Sequence, residues 1–271
     1  MRSLKIYLCD LTYDTITLST DAFPLNVGYI ASYAKKQFQN KLEITIFKYI
    51  DKLESALESN PPDIIGFSNY AWNRQISKEM SKIFLQKNPN GLVVWGGPNF
   101  PADLPSQQTF FKNFPEIDIY VPIEGEIGFS NIVERVLEKN SVDNLRDSVL
   151  NTPIPGCITR LSDGELKFGF TEKRIKQLDE IESPYLSGIL DEFFDGRLVP
   201  MIQTNRGCPF SCTFCTDGSD NVRMVNQFTS KRVDDELKYI ANKVPKNIHS
   251  LHISDLNFGM YAKDMEVCDS I

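Results

Sequence analysis

The run Asp63-Ile64-Ile65-Gly66-Phe67-Ser68 is typical of a short strand that is buried on both faces of a sheet. Four other apolar runs have the same character, at residues 4–9, 43–48, 92–95 and 117–121. Helical periodicity separates them, at residues 25–38, 73–86 and 129–137. Strands that alternate with helices predict an α/β fold with an open, doubly wound parallel sheet, similar to Rossmann and flavodoxin sheets.

The carboxyl ends of these predicted strands carry polar and glycine-rich motifs. Ligands of an open parallel sheet bind outside this edge. The motifs are Ser68-Asn69-Tyr70, Gly96-Gly97-Pro98 and Glu124-Gly125-Glu126. Gly96 and Gly97 would let the backbone approach a bulky ligand, although an ordinary strand-to-helix turn explains the same pair. The sequence therefore predicts a ligand site at this edge of the sheet.

Three cysteines lie within eight residues, at Cys208, Cys212 and Cys215. Three thiolates at this spacing can hold an iron–sulfur cluster and leave one iron without a protein ligand, which favours chemistry over a structural role. A structural zinc site needs four closed ligands. His249 and His252 could each supply a fourth, but the strand predicted for their stretch places them on opposite faces. A disulfide framework is typical of small secreted chains instead.

Composition limits the classes of function. The chain has 271 residues, of which 41% are hydrophobic and 24% charged, as in globular proteins. We predict an α/β domain at residues 1–140, a linker with a β-hairpin at 141–198, and a further domain at 199–271. The net charge of −7 argues against nucleic acid as a partner. The sequence shows neither an export signal nor a long apolar run, so we expect a cytoplasmic location away from the membrane.

The cysteine loop, with Phe214 directly before the third cysteine, resembles the cluster loop of the radical S-adenosylmethionine (SAM) enzymes. The preceding run Gln203-Thr204-Asn205-Arg206-Gly207 resembles the strand end that presents this loop. The resemblance implies a [4Fe–4S] cluster on the three cysteines, with SAM on the fourth iron and its reductive cleavage to a 5′-deoxyadenosyl radical. Phe214 would pack near the adenine of SAM or, alternatively, form a hydrophobic lid over the cluster.

The strand-end motifs, together with Pro24-Leu25-Asn26-Val27-Gly28-Tyr29, resemble the cobalamin-binding domain of B12-dependent radical SAM proteins. This resemblance covers nearly the whole chain and implies cobalamin as a further cofactor. Cobalamin proteins that ligate cobalt from below use a His after the first strand, and loop 10–15 has none. Cobalamin would then bind without a histidine ligand, unless the domain has lost it. The implied cobalamin contacts are Ser68, Asn69, Tyr70, Gly96, Gly97, Pro98, Glu124 and Gly125.

The last part of the sequence resembles the beginning of the catalytic barrel of the same family. The predicted elements are a strand at 199–204, a helix at 233–243 and a strand at 251–254. The run Asp255-Leu256-Asn257-Phe258-Gly259 resembles a motif near SAM and implies SAM contacts from Asp255 and Asn257. Asp255 would alternatively cap the next helix. Only two strand–helix units fit here, whereas the family's barrel has six, so we expect the start of a partial (β/α)6 barrel in a C-terminally truncated chain.

The resemblance implies an enzyme that methylates a small molecule or modifies it by another radical reaction. It also implies a one-electron reductant, such as flavodoxin or ferredoxin, as a partner, and no catalytic side chain beyond the cluster ligands. Two other functions stay open. One is a truncated corrinoid-binding or vestigial module without catalytic activity, and the other is a zinc-binding interaction protein.

Overall fold

The computed structural model describes residues 2–139, 145–161, 163–218 and 222–271. The chain divides into two compact units, of which the first contains residues 1–20 and 33–173 and the second contains residues 21–32 and 174–271. Helix α1 (Leu25–Phe38) begins in the second unit and continues into the first. The predicted domain boundary at residue 140 lies outside the described residues, and the three predicted domains stay a prediction.

A seven-stranded sheet forms the first unit. Its strands are β1 (Leu4–Thr12), β2 (Leu42–Tyr49), β3 (Ile64–Ser68), β4 (Leu92–Gly96), β5 (Ile119–Val121), β6 (Ile158–Arg160) and β7 (Leu166–Phe168). The order is β2-β1-β3-β4-β5-β6-β7, and the first five strands of the sequence pair in parallel. An order of 2-1-3-4-5 is the flavodoxin-like doubly wound arrangement, in which the chain reverses direction between β1 and β3. The predicted fold class is therefore confirmed.

Burial explains why the apolar runs became strands. Every residue of β1, β3 and β5 is buried. The helices of this unit are α2 (Ile50–Ser59), α3 (Arg74–Lys87), α4 (Leu104–Asn113), α5 (Gly125–Lys139) and α6 (Leu145–Val149). One face of the sheet packs on a core that includes Trp95, Phe110 and Phe114. Helices α2 and α4 were absent from the sequence prediction, and α5 begins four residues earlier than the predicted start at residue 129.

The hairpin predicted near residues 157–170 is present, but it extends the sheet. Strands β6 and β7 pair with each other in antiparallel fashion, and β6 pairs with β5. The predicted turn includes Ser162, which lies outside the described residues. Because β5 would otherwise be an open edge strand, the hairpin covers backbone groups that need partners.

The second unit contains short strands and two helices after residue 199. They are β8 (Met201–Ile202), β9 (Asn205–Arg206), β10 (Asn226–Gln227), α7 (Ser230–Lys243), β11 (His252–Ile253) and α8 (Ala262–Ser270). Strands β8 and β11 pair in parallel, with α7 between them in sequence, as expected for two successive strands of a barrel. None of the described helices combines the length and the apolar character that a membrane crossing requires.

The strand predicted around the two histidines is shorter than expected. Only His252 and Ile253 pair with β8, while the backbone N–H of Ile248 donates to the carbonyl of Pro245 in a turn. The interpretation of His249 and His252 as opposite faces of one strand is therefore wrong, since β11 contains only His252 and Ile253 and His249 lies outside it.

Candidate functional site

The cysteine loop leaves β9 and returns through β10. Arg206 pairs with Asn226 and Asn205 with Gln227 in antiparallel register, so the two strands close the base of the loop. At the entrance, Gly207 has a φ of +114°, and a Cβ on this residue would collide with the carbonyl oxygen of Met224. The loop geometry therefore requires glycine directly before Cys208.

The three thiols of the loop are accessible and free. Cys208 is half-buried, and Cys212 and Cys215 are exposed. The backbone N–H of Cys215 donates to the carbonyl of Cys212 at 3.1 Å, which places these two cysteines in one turn. A Cβ on Gly218 would collide with the same carbonyl, so a second glycine permits this turn. Accessible thiols on one short loop suit an iron–sulfur cluster in donor type.

The structure does not gather these thiols into a metal site. Among the residues that the structure describes, no group of three or more Cys, His, Asp or Glu side chains could hold a metal ion. The two other cysteines near the sheet are different in character: burial raises the pKa of the Cys9 and Cys157 thiols well above the usual value. Buried neutral thiols of this kind are inert, which separates them from the cysteines of the loop.

Asp255 ties the carboxyl ends of β8 and β11 together. Its Oδ1 accepts from the backbone N–H of Thr204 at 2.7 Å, and its Oδ2 accepts from the side chain of Asn205 at 2.9 Å and from the hydroxyl of Thr204. Burial raises the pKa of Asp255 in spite of these donors. The alternative role as a helix cap is not observed, because Tyr261 and Asp264 cap α8.

Two amide groups beside Asp255 keep unused hydrogen-bonding capacity. Asn257 Nδ2 and Asn205 Oδ1 are buried atoms without a hydrogen-bond partner in the described part of the chain. Buried amide groups are ordinarily satisfied, so this unused donor and this unused acceptor at strand ends are groups that a polar ligand would satisfy. Phe214 lies elsewhere in the second unit, on the cysteine loop, and its side chain is 91% exposed. Contacts of Phe214, Asp255 and Asn257 with SAM stay predictions.

Asn69 joins the strand-end motifs of the first unit. Its backbone N–H donates to the carbonyl of Gly96 at 2.6 Å, and its side-chain amide donates to the hydroxyl of Tyr120 at 3.1 Å. That hydroxyl in turn donates to the carbonyl of Gly97 at 2.7 Å. The ends of β3, β4 and β5 are therefore linked by one buried network, as the topology predicts for parallel strands.

The paired glycines are explained by the packing of the chain itself. Gly97 has a φ of +123°, and a Cβ there would lie 2.9 Å from the carbonyl oxygen of Asn69. A Cβ on Gly96 would lie 3.1 Å from the carbonyl oxygen of Val121. Of the two explanations that the sequence left open, the turn is supported, while a close approach of cobalamin at Gly96, Gly97 and Pro98 stays a prediction.

A buried charge pair supports the loop that follows β3. Lys48 Nζ lies 2.9 Å from Asp10 Oδ2, with the lysine side chain 1% exposed. Ser68 donates to the other oxygen of Asp10 at 2.5 Å and accepts from Asn73 at 2.8 Å. Asn73 then accepts from the backbone N–H of Tyr70 at 2.8 Å, which fixes the turn between β3 and α3.

Sequence reasoning missed the roles of Asp10 and Lys48. The sequence did carry a signal for this pair, since Asp10 and Lys48 each stand near the end of an otherwise apolar strand. Beyond this network, the rings of Tyr70 and Trp72 stack at 4.5 Å, and Trp72 remains 49% exposed. Glu124 and Gly125 stand at the start of α5, beside the end of β5. The strand-end edge thus presents an aromatic pair and a helix start, which suit a large ligand with an apolar face.

Comparison with known proteins gives relatives that match over most of this chain. No protein-family model matches the chain. The cobalamin-dependent radical SAM methyltransferase TokK of Streptomyces tokunonensis is 30% identical over 258 residues, which cover 92% of this chain and 36% of TokK. The 2-(S-pantetheinyl)-carbapenam-3-carboxylate methyltransferase of Streptantibioticus cattleyicolor is 29% identical over 258 residues, which cover 92% of this chain and 36% of that relative.

Solved structures show the same fold. The cobalamin-dependent SAM radical enzyme OxsB, solved with aqua-cobalamin and SAM bound, matches with a TM-score of 0.65 at 19% identity, over 99% of this chain and 37% of OxsB. The radical SAM methyltransferase TsrM of Kitasatospora setae, solved with cobalamin and a [4Fe–4S] cluster, matches with a TM-score of 0.68 at 14% identity, over 100% of this chain and 50% of TsrM. The chain is thus a homologue of the cobalamin-dependent radical SAM methyltransferases, and it spans 36% of the length of TokK.

Proposed function

We propose that this chain provides the cobalamin site and the cluster loop of a radical SAM methyltransferase that acts on a small molecule. The loop of three free, accessible thiols, closed at its base by β9 and β10, carries the proposal. The relatives support it, since the radical SAM methyltransferase TokK and the carbapenam methyltransferase each match 92% of this chain. When bound, the [4Fe–4S] cluster, SAM and cobalamin would supply one-electron chemistry and a transferable methyl group.

The residues of the second unit would bind the cluster and orient SAM. Cys208, Cys212 and Cys215 would ligate three irons and leave the fourth to SAM. The unused amide donor of Asn257 would face an acceptor group of SAM, and its satisfaction would remove the cost of a buried unpaired N–H. Asp255 would hold the strand ends in place, because both of its oxygens already accept hydrogen bonds from residues 204 and 205.

The residues of the first unit would hold cobalamin at the strand-end edge. The network of Asn69, Tyr120 and the 96–97 backbone fixes the shape of that edge, and Trp72 offers an exposed ring beside it. Residues 10–15, at the end of β1 and directly after it, include no histidine. Cobalamin would therefore bind at this edge without a histidine ligand from that loop.

Anaerobic reconstitution of the chain with iron and sulfide tests the cluster. The wild type should acquire iron and labile sulfide, and Cys208→Ser, Cys212→Ser and Cys215→Ser should each lose most of both. Cys268→Ser is the matched control, because Cys268 is exposed and free but lies far from the loop in sequence. Stoichiometric zinc without labile sulfide would instead establish a zinc-binding protein.

A second measurement separates the enzyme from a module that only binds corrinoid. The reduced, cluster-loaded chain should cleave SAM, which is followed as 5′-deoxyadenosine or as methyl transfer to added cobalamin. Retention of corrinoid in the visible spectrum, with neither product formed, would support the corrinoid-binding module without catalytic activity.

A further inference from the structure

The base of the cysteine loop is crossed by one guanidinium group. Arg174 Nη1 donates to the carbonyl of Met224 at 2.6 Å, and Nη2 donates to the carbonyl of Arg206 at 3.2 Å. These two carbonyls lie on opposite sides of the loop, two residues before Cys208 and two residues before Asn226. A single side chain therefore spans the entrance and the exit of the loop.

The residue after Arg174 reinforces this attachment. The carbonyl of Ile175 accepts from the side-chain amide of Asn226 at 3.0 Å, and both residues are buried. Asn226 is also the backbone partner of Arg206 in the β9–β10 pair. Segment 174–175 is thus bonded to both strands that close the loop, although it lies about thirty residues before the first of them in sequence.

The contacts reach the first cysteine through the backbone. The N–H of Cys208 donates to the carbonyl of Val222 at 2.9 Å, and Gly207 brings the entering backbone against Val222 and Met224. The Arg174 guanidinium holds the carbonyls next to these contacts. If Arg174 is removed, the entrance and the exit of the loop lose a shared donor, which weakens the hold on Cys208 from outside the loop.

Arginine suits this place better than lysine. A guanidinium presents several N–H donors in a rigid planar fork, whereas an ammonium is a compact point charge on a flexible stem. Two carbonyls at the two ends of the loop can therefore be held at a fixed spacing by arginine. The fixed positive charge would also favour the more negative, reduced state of a nearby cluster, because net charge is one of the factors that set cluster potentials.

We infer that Arg174 is a positioning residue for the cluster: it clamps the two ends of the cysteine loop and thereby sets the environment of Cys208. This inference rests on the proposed function, since it presupposes a cluster on the loop. Arg174 itself ligates nothing and touches no reacting atom. Its effect is expected in the assembly, the electron paramagnetic resonance (EPR) spectrum and the midpoint potential of the cluster.

The test compares Arg174→Met and Arg174→Lys with a matched control, Lys176→Met, which removes one positive charge from an exposed side chain two residues away. After anaerobic reconstitution, the control should match the wild type in iron, labile sulfide, EPR spectrum and midpoint potential. Arg174→Met should take up at least twofold less cluster, with a shifted spectrum and a lower potential. Arg174→Lys, which keeps the charge but loses the fork, should recover part of the potential but little of the uptake.

The outcomes separate the two proposals. If the wild type binds no cluster, the proposed function and the role of Arg174 are both overturned. If the wild type binds a cluster and both Arg174 variants match Lys176→Met in every readout, only the role of Arg174 is overturned. Amide hydrogen exchange of the cluster-free chain tests the clamp even if a variant fails to take up the cluster. Exchange of the amide protons of Cys208 and Asn226 should be faster in Arg174→Lys than in Lys176→Met. Equal exchange rates in the two variants would overturn the inference.

Discussion

Gly207 is the residue that lets the cysteine loop leave β9. Its φ of +114° is strained for any residue with a side chain, and the carbonyl oxygen of Val222 would lie 2.8 Å from a Cβ. The carbonyl of Met224 would be closer still, and it is held in place by Arg174. The backbone on both sides of Gly207 therefore has little freedom to move away from an added methyl group.

Gly207→Ala is expected to destabilise the chain and to impair cluster uptake. The positive φ alone costs about 1–3 kcal/mol for a residue with a Cβ, and the collision with two carbonyls adds to that cost. Urea unfolding gives the change in free energy, and iron and sulfide analysis gives the effect on the loop.

Gly259→Ala is the matched control for this substitution. Gly259 also has a positive φ, +91°, but a Cβ there would meet nothing within 4 Å. The control should therefore show the backbone cost without the collision and without loss of cluster. Equal effects of the two substitutions on stability and on iron content would contradict the close packing at Gly207.

Residue types and their spacing predicted the cysteine ligands, but not the contacts that hold the cysteine loop in place. The pattern of Cys208, Cys212 and Cys215 predicted a cluster loop because the ligand chemistry is local in sequence. Arg174 escaped prediction because its two carbonyl partners lie 32 and 50 residues away, and nothing in the sequence marks a contact of that kind. The same holds for Asn69, whose hydroxyl partner on Tyr120 is 51 residues distant.

At the scale of elements, α7 begins with a cap that depends on a distant carboxylate. Thr229 accepts from the backbone N–H of Arg232 at 3.2 Å, which satisfies one of the free donors of the first turn. Asp179 accepts from both the backbone N–H of Thr229 at 3.0 Å and its hydroxyl at 2.5 Å. The carboxylate of Asp179, fifty residues before Thr229, therefore orients the cap of α7.

Thr229→Ala is expected to lower the free energy of unfolding by about 0.5–2 kcal/mol, the range for loss of an N-cap side chain. The alanine variant loses the bond to Arg232 and one of the two bonds to Asp179. Urea unfolding followed by circular dichroism measures the loss. Thr229→Ser keeps the hydroxyl and should retain most of the stability, whereas a serine variant as unstable as the alanine variant would assign the loss to the methyl group instead.

Periodicity predicted the long elements of the first unit and missed its short helices α2, α4 and α6. Helix α2 follows β2 without a turn and buries only Leu53 and Leu57, so its apolar pattern is too brief to stand out. Helix α4 did carry a signal, since Asp103 caps it and Pro105 follows in its first turn. The barrel strands were predicted in place but too long, because β8 and β11 pair over only two residues each.

At the scale of the whole molecule, the buried carboxyl groups of Asp118 and Glu236 and the half-buried one of Asp255 make the protein more stable, rather than less, as the pH falls. Burial raises the pKa of Asp118, Glu236 and Asp255, even though each accepts hydrogen bonds from N–H or O–H groups. A carboxyl group whose pKa is higher in the folded state than in the unfolded chain binds more protons when folded. Its contribution to stability is therefore greatest at low pH and is lost as the pH rises through the raised pKa.

The substitution Glu236→Gln should remove the contribution of this one carboxyl group to the pH dependence of stability. Glu236 is buried, accepts from Arg232 at 2.8 Å and from Ser183 at 2.5 Å, and has a pKa raised chiefly by burial. The usual pKa of Glu is about 4.3. As the pH rises from this value to the raised pKa of the folded state, the wild type should lose stability relative to the variant. The expected slope between the two pKa values is about 1.4 kcal/mol per pH unit. Urea unfolding at several pH values measures this difference, with the exposed Glu43→Gln as control. A difference between wild type and Glu236→Gln that is constant, or that grows in favour of the wild type as the pH rises, would show that Arg232 outweighs burial.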